Sequence, residues 1–353
     1  MNWTDHRMVG GGEGLGVWRL AGNARIGEQL QPWSIILKGW PSPEPGIVPS
    51  AWNAPHRERE LYRSGLLTNL SGGFRVPTCY GDIERPDGSV WLWLEDIKDG
   101  AANPWKIETY AMVGRQLGQM NGAYLAERAL PESPCLSRGW LRGWVEAAAP
   151  AMANLAKEVN HPFVRRVYPP HVADAYTRLW DKRRAYSALL ETLPQTFAHL
   201  DAFRRNLFIR GGLDGIDETV LIDWGFAGIA AVGEELAALI IGSVAFMDVP
   251  IAEAQHLQNV VLEKYLEGLG DMGWHGDPDL VRTGYAIAAG LRYGIGAMRL
   301  ELPFLLDEEL HPHIEQLFGR PLTEIVANQV ELHAFLAKLV QDIPRTPPSL
   351  QQT

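Results

Sequence analysis

Cysteine is nearly missing from this chain: two residues in 353, Cys79 and Cys135, far apart in sequence. That excludes a disulfide framework and a thiolate metal cluster, and both are read as free thiols of a reducing cytoplasm. Long hydrophobic runs are missing too. The most apolar helix-like stretch, Leu236–Phe246, is too short to span a bilayer, and the opening MNWTDHRMVGGG lacks the apolar core of a signal peptide. Basic charge is in deficit, with 32 Lys and Arg against 42 Asp and Glu and a formal charge of -10. An affinity for nucleic acid that rests on a basic surface is therefore excluded. Neither nucleic acid nor membrane is expected as a partner. There is no internal repeat and no low-complexity block. What remains is 46% apolar and 21% charged, ordinary values for a globular protein with a substantial core. Tryptophan is abundant at 13 residues, which suits either core packing or an aromatic-lined pocket.

Residues 1–97 read as a β-rich region. Val17–Leu20 is a short strand candidate, and Trp33–Lys38, with adjacent isoleucines, a stronger one. A Pro-rich loop, PSPEPGIVPSAWNAP, follows. Helical spacing over His56–Leu67 puts Leu61, Tyr62, Gly65 and Leu66 on one face, with Glu58 one turn before Tyr62. Val76–Tyr80 and Val90–Leu94 look like a strand pair around the turn Glu84–Gly88. Beyond residue 98 the pattern is helical: Trp105–Glu127, Leu141–Glu158, Val172–Leu193, Leu236–Phe246, Ala252–Leu269, Leu280–Leu300 and Leu322–Leu339, ending in a polar Pro-rich tail.

Two stretches in the middle of the chain carry chemistry. His199-Leu200-Asp201-Ala202-Phe203-Arg204-Arg205-Asn206 has the form H-x-D-x-x-x-x-N, between strand-like Thr196–Ala198 and Leu207–Ile209. Val220-Leu221-Ile222-Asp223-Trp224-Gly225 is an apolar run ending in a carboxylate. Phosphoryl transfer from a nucleotide needs a carboxylate beside the attacking hydroxyl, and an amide oxygen and a second carboxylate for Mg²⁺. Asp201, Asn206 and Asp223 are those types in that order. Either stretch alone has a plain alternative: a loop Asp with a turn-stabilising Asn, and a helix N-cap. Lys38 ends its strand as a phosphate-binding lysine does in V-A-I-K, and Glu58 is its candidate partner, with Glu60 as the rival. The glycine-rich segment 10–17 suggests a phosphate-covering loop but fits neither G-x-G-x-x-G nor the P-loop pattern.

AHLDAFRRNLF followed by VLIDWGFAGIAAVGEELA closely resembles the Brenner-type motif and metal-binding motif of the aminoglycoside phosphotransferase and choline-kinase group. The resemblance covers roughly residues 30 to 245. It implies an α+β, bilobal, protein-kinase-like fold. A small β-rich nucleotide-binding N-lobe (1–97) would end in a hinge, and a larger helical C-lobe (98–353) would hold the catalytic loop, metal site and acceptor pocket. By that likeness Asp201 is the catalytic base, and Asn206 and Asp223 bind Mg²⁺. His199 is structural, and Glu235, where the group usually has Asp, anchors the catalytic-loop backbone. Lys38, steadied by Glu58, grips the phosphates of ATP or GTP. At the hinge, the backbone C=O of Glu95 and N–H of Ile97 meet the base edge.

The implied reaction is transfer of a γ-phosphoryl group to a hydroxyl of a small-molecule acceptor that is aminoglycoside-like, amino-alcohol or sugar-like. Phe203 stands where protein kinases have Lys, and D-F-G and A-P-E elements are missing, which sets a protein kinase second. A non-catalytic nucleotide-binding regulator is the third reading. Arg204 and Arg205 either meet phosphate or acceptor or pair with acidic neighbours, and Trp224 is a further candidate contact. On the acceptor side, Trp140, Trp144, Trp224, Trp274, Tyr285 and Tyr293, with Glu301, Asp307, Glu308 and Glu309, either suit a cationic or sugar-like acceptor or are core and solvated surface.

Overall fold

The computed structural model describes residues 2–8, 14–101, 104–211 and 217–343. Residues 10–13 of the glycine-rich segment and the tail 344–353 lie outside them. The N-terminal part contains β1 (Asn2–Arg7), β2 (Gly16–Ile26), β3 (Gln29–Trp40), β4 (Phe74–Arg75), β5 (Cys79–Glu84) and β6 (Val90–Glu95). Five of these form one antiparallel sheet in the order β1-β2-β3-β6-β5.

Both strands expected around residues 17–20 and 33–38 are the inner halves of longer ones. Ile26 pairs with Gln29 across a two-residue Gly27-Glu28 loop, and Gly27 has φ 62°, the left-handed conformation that such a loop requires. The outer halves escaped the sequence reading because they are polar and exposed. β6 reaches only Ile35–Trp40, so Pro32 lies where β3 is paired on one side, and its missing N–H is tolerated. Val90, Leu92 and Leu94 alternate inward along β6 and bury against Ile36, Trp40 and Tyr62.

The helix Arg57–Ser64 departs from its expected face. Its buried residues are Arg57, Glu58, Arg59 and Leu61, whereas Gly65 is exposed and Leu66 half-buried. Charged side chains can take the inner face because each is paired. Arg57 donates to the carbonyls of Cys135 at 2.7 Å, Gly225 at 2.6 Å and Trp52 at 3.3 Å, and to that of Ala51. Arg59 meets Asp82 at 2.8 Å and Glu84 at 2.9 Å.

The C-terminal part is mostly helical around one continuous core. The helices Ile107–Ala126 and Ala254–Asp271 touch backbone to backbone. Gly118 and Gly268 make that possible, since a Cβ on either would collide with a carbonyl of the other helix. Three expected helices are interrupted. Leu141–Glu158 is two helices, Trp140–Glu146 and Ala149–Lys157, the second opening with Pro150 in its first turn. Leu236–Phe246 is a π-helical turn, Ala238–Gly242, followed by Ser243–Ala245. Leu280–Leu300 is helical over Pro278–Ala289, π-helical over Gly290–Gly296 and α-helical again over Met298–Leu306. Among the described residues no helix is long and apolar enough to cross a membrane.

Two further sheets have three strands each, and one of them includes β4 of the N-terminal part. Their strands include β7 (Ser137–Arg138), β8 (Gln195–Ala198), β9 (Leu207–Gly211), β10 (Asp217–Leu221) and β11 (Gly228–Ala231), in the orders β4-β10-β9 and β7-β11-β8. The segment after β6 is sewn to β9: Gly100 N–H donates to the Ile209 carbonyl at 2.6 Å, and Asp99 accepts from Ile209 N–H at 3.1 Å.

Of the carboxylates expected on the acceptor side, Glu301 belongs to the core. It is 9% exposed, accepts from Tyr168 O–H, and is linked through His333 Nε2 at 2.8 Å to Tyr176, whose hydroxyl lies 2.7 Å from His333 Nδ1. Asp307 caps the short turn Glu308–Leu310, and Glu308 and Glu309 are exposed. Removing the Glu301 carboxylate strands two buried partners. Glu301→Ala should lower unfolding free energy by about 3 kcal/mol in denaturant titration, with turnover per folded molecule unchanged.

Candidate active site

The loop after β8 is built around a backbone that leucine rarely adopts. Leu200 has φ 66°, and its neighbours hold it there. Glu235, 1% exposed, accepts from His199 N–H at 2.7 Å and Leu200 N–H at 3.2 Å, and Asn121 donates to it at 3.0 Å. Burial pushes the Glu235 carboxyl up to about 7 against these donors. His199 is fully buried. Its Nδ1 accepts from Asp201 N–H at 3.1 Å, which leaves Nε2–H to donate to the Ile222 carbonyl at 2.9 Å. Burial lowers its pKa to about 4, so the ring is neutral near pH 7 and braces the two motifs against each other.

Asp201 lies at the mouth of this loop, with its side chain 15% exposed. Asn206 donates its amide hydrogens to the Asp201 carboxylate and carbonyl, both at 3.0 Å. The Asn206 amide oxygen is therefore the atom left to face a cation. Arg292 donates to the other carboxylate oxygen of Asp201. Burial raises the Asp201 carboxyl to about 6, with Arg292 opposing the shift.

Asp223 follows β10 in the left-handed region at φ 63° and turns its carboxylate back toward the sheet. There Lys38 Nζ sits 2.6 Å from Asp223 and 2.6 Å from Glu58. Glu58 also accepts from Trp224 N–H at 3.4 Å, while Glu60, its side chain 43% exposed, faces Arg59 at 3.7 Å. Burial works against the Lys38 charge, but the two carboxylates outweigh it and raise its pKa. Burial likewise disfavours the Asp223 charge, and the Lys38 ammonium holds that carboxyl below its ordinary value.

Three sequence candidates point away from this centre. Trp224 is fully buried: its indole N–H donates to the Leu221 carbonyl at 3.0 Å and its ring stacks on Phe197 at 6.0 Å, so no face is open to an acceptor. Arg204 pairs with Asp99 at 2.6 Å and lies over Trp105 at 4.2 Å. Arg205 meets Asp248 at 3.4 Å and the carbonyls of Phe246 and Leu317, both at 3.2 Å. The acidic-partner alternative therefore describes both arginines. The Glu95 carboxylate accepts from Thr78 N–H and hydroxyl at 3.0 Å each and meets Arg210 at 2.6 Å. Ile97 beside it is buried.

The acceptor-side aromatics divide. Tyr285 is core, with its hydroxyl 2.9 Å from Gln258. Trp274 is half-buried at the C-terminal end of the helix Ala254–Asp271. Trp140 and Trp144 stack at 5.5 Å, with Arg292 over Trp140 at 4.7 Å and over Tyr293 at 5.2 Å. Arg292 is the residue that sequence reasoning missed. The available signal was a glycine-flanked arginine in GLRYGIG, inside an otherwise apolar helix.

The neutral His199 sets a pH dependence. Its folded pKa lies below the usual 6.5, so the unfolded chain binds the additional proton between the two values. The stability it contributes is complete above 6.5 and is lost as pH falls toward 4, up to about 3 kcal/mol. Denaturant unfolding at a series of pH values should show this loss, and His199→Gln should flatten it.

The phosphotransferase enzyme family (APH) has a family model that matches residues 46–274. No curated protein matches the chain. Among solved structures, amicoumacin kinase hAmiN in complex with AMP-PNP, Ca²⁺ and Ami is similar at 12% identity, over 97% of this chain and 90% of that one, with a TM-score of 0.56. The microcompartment-associated aminopropanol kinase is similar at 12% identity, over 97% and 95%, with a TM-score of 0.53. An aminoglycoside phosphotransferase from Alicyclobacillus acidocaldarius subsp. acidocaldarius is similar at 15% identity, over 87% of each chain, with a TM-score of 0.50. At these identities the likeness is one of fold, the small sheet and larger helical part of the protein-kinase-like architecture. The family match contains Glu58, the catalytic-type loop, Asp223 and Glu235. The chain belongs to the phosphotransferase enzyme family and is an enzyme of kinase type, with an alcohol group as phosphoryl acceptor.

Proposed function

We propose that the chain transfers the γ-phosphoryl group of ATP, with Mg²⁺, to a hydroxyl of a small molecule, and that Asp201 is its catalytic base. The observation that carries this is two contact groups, Asp201 with Asn206 at 3.0 Å and Lys38 with Glu58 and Asp223 at 2.6 Å each, joined where Ile222 N–H donates to the Asn206 carbonyl at 3.0 Å. We place the lobe boundary at 97/98, with Glu95 and Ile97 offering backbone groups to the base edge. GTP is the alternative donor that such backbone contacts admit.

The donor set fits a cation that arrives with the nucleotide. Among the described residues no group of three or more His, Cys, Asp or Glu could hold a metal. Mg²⁺ needs fewer, since it keeps waters and takes one or two protein oxygens beside substrate phosphates. The Asn206 amide oxygen and the Asp223 carboxylate would hold it. When bound it would spread the developing phosphate charge. Lys38, oriented by Glu58, binds phosphate oxygens and offsets their charge. Asp201 orients the acceptor hydroxyl and takes its proton as the oxygen–phosphorus bond forms. His199 and Glu235 keep the loop in place and move no proton.

For the acceptor, the carboxylates that would favour a polycation are engaged elsewhere or exposed, as Glu301, Asp307, Glu308 and Glu309 are. Half-buried rings flank the catalytic loop instead: Phe203 stacks on Phe246 at 5.1 Å and Phe246 on Phe318 at 5.7 Å. Arg205 lies over Phe246 at 4.8 Å, and the proposed acceptor is aminoglycoside-like, amino-alcohol or sugar-like.

The test is an ATP-consumption screen over aminoglycosides, macrolides, amino alcohols and sugars, run with wild type and Asp201→Ala. Wild type should turn over with at least one class. Asp201→Ala should be slower by about 10²–10⁴-fold, with AMP-PNP affinity retained. Undiminished transfer by a folded Asp201→Ala protein would remove Asp201 from the mechanism.

A further inference from the structure

Arg292 lies outside the matched family region, on the π-helical turn Gly290–Gly296. Such turns insert one residue into a helix and re-aim the side chains around it. Small residues allow this one to sit close: a Cβ on Gly294 would strike Tyr176, and one on Gly296 would strike Trp144. The Arg292 side chain, 10% exposed, reaches the catalytic-type loop. One end of its fork donates to the Leu200 carbonyl and the other to the Asp201 carboxylate. Its guanidinium carbon lies over the Trp140 ring at 4.7 Å and over the Tyr293 ring at 5.2 Å.

These contacts complete a frame. The Leu200 backbone, at φ 66°, has its N–H held by the buried Glu235 carboxylate and its C=O held by the buried Arg292 guanidinium. One Asp201 oxygen takes Arg292 and the other takes Asn206 at 3.0 Å, so the carboxylate plane cannot rotate. Each carboxylate oxygen has two lone-pair directions, so one on each remains for a hydroxyl proton. An ammonium has no planar fork and cannot make the same two-point grip.

We propose that Arg292 is the positioning residue of this site, fixing the Leu200 carbonyl and the Asp201 carboxylate together so that the base is aimed before the acceptor arrives. The inference rests on the phosphoryl-transfer reading. It adds a requirement from the C-terminal helical region that the family motifs do not contain.

The test compares wild type, Arg292→Lys and Arg292→Ala, full chain, with ATP and Mg²⁺. ADP release is read with water as acceptor and with each member of the acceptor panel. Arg292→Lys keeps the charge beside Asp201 and so preserves the fold. Its kcat should fall by about 30–300-fold, while the KM for ATP stays within about twofold. Arg292→Ala leaves room for a free guanidinium ion, and added guanidinium chloride at about 20 mM should restore kcat by about tenfold, where the same sodium chloride does not. Wild-type kcat in Arg292→Lys, a kcat loss matched by a rise in the KM for ATP, or absence of rescue in folded Arg292→Ala overturns the positioning role alone. If wild type releases no ADP under any of these conditions, the phosphoryl-transfer reading falls, and this assignment with it.

Discussion

One ammonium between two carboxylates ties this molecule together. Lys38 comes from the N-terminal sheet, Glu58 from the helix Arg57–Ser64, and Asp223 from the turn after β10, and both contacts are 2.6 Å. Glu58 is 1% exposed and Lys38 12%, so neither charge has water enough to stand alone. Each makes the other tolerable, and removing one leaves a buried charge without its partner. The pairing explains why charged residues occupy the inner face of Arg57–Ser64. Arg57 anchors that face to the Gly225 carbonyl, and Glu58 reaches the Trp224 N–H. The helix is thereby fastened to the segment that begins with Asp223.

The second centre of order is the backbone at Leu200. Its strained conformation persists because buried groups of opposite sign hold its donor and its acceptor, while a neutral His199 links the loop to Ile222. The two centres meet through charge. Asp201 and Asp223 repel, and that repulsion contributes to the raised Asp201 carboxyl, below burial and the opposing Arg292 in size. On the proposed reading Asp223 meets the cation with Asn206, and Asp201 is left to the acceptor hydroxyl.

The residues proposed to carry the chemistry stand out in the sequence because their identity and spacing are local. H-x-D-x-x-x-x-N places Asp201 and Asn206 on one loop, and the two do meet at 3.0 Å. The pairing of Lys38 with Glu58 rather than Glu60 followed from one helical turn of spacing. In the sheet, β2 and β3 were found by their apolar inner halves and β6 along Val90–Leu94, whereas the expected strand Val76–Tyr80 starts three residues before β5, and polar β1 went unread because it carries no apolar alternation. What stayed hidden depends on packing. Arg57 and Arg59 carry no pattern in the sequence, and their burial is understood only once their partners, up to 168 residues away, are placed. Trp224 and Glu301 have the right types for an acceptor pocket, yet they are buried in the core, a distinction that composition cannot make. Arg292 sits 91 residues beyond Asp201, on a π-helical turn whose Gly294 and Gly296 pack closely against Tyr176 and Trp144, and no motif links it to the loop.

On the proposed reading the phosphoryl group leaves the nucleotide for a carbon-bound hydroxyl held at Asp201, and phosphorus NMR observes that event directly. Wild-type protein incubated with ATP, Mg²⁺ and a pool of the acceptor classes should convert the γ-phosphate resonance into ADP signals and a phosphate-monoester resonance. Unchanged ATP, or inorganic phosphate as the sole product at every acceptor concentration, would rule that transfer out.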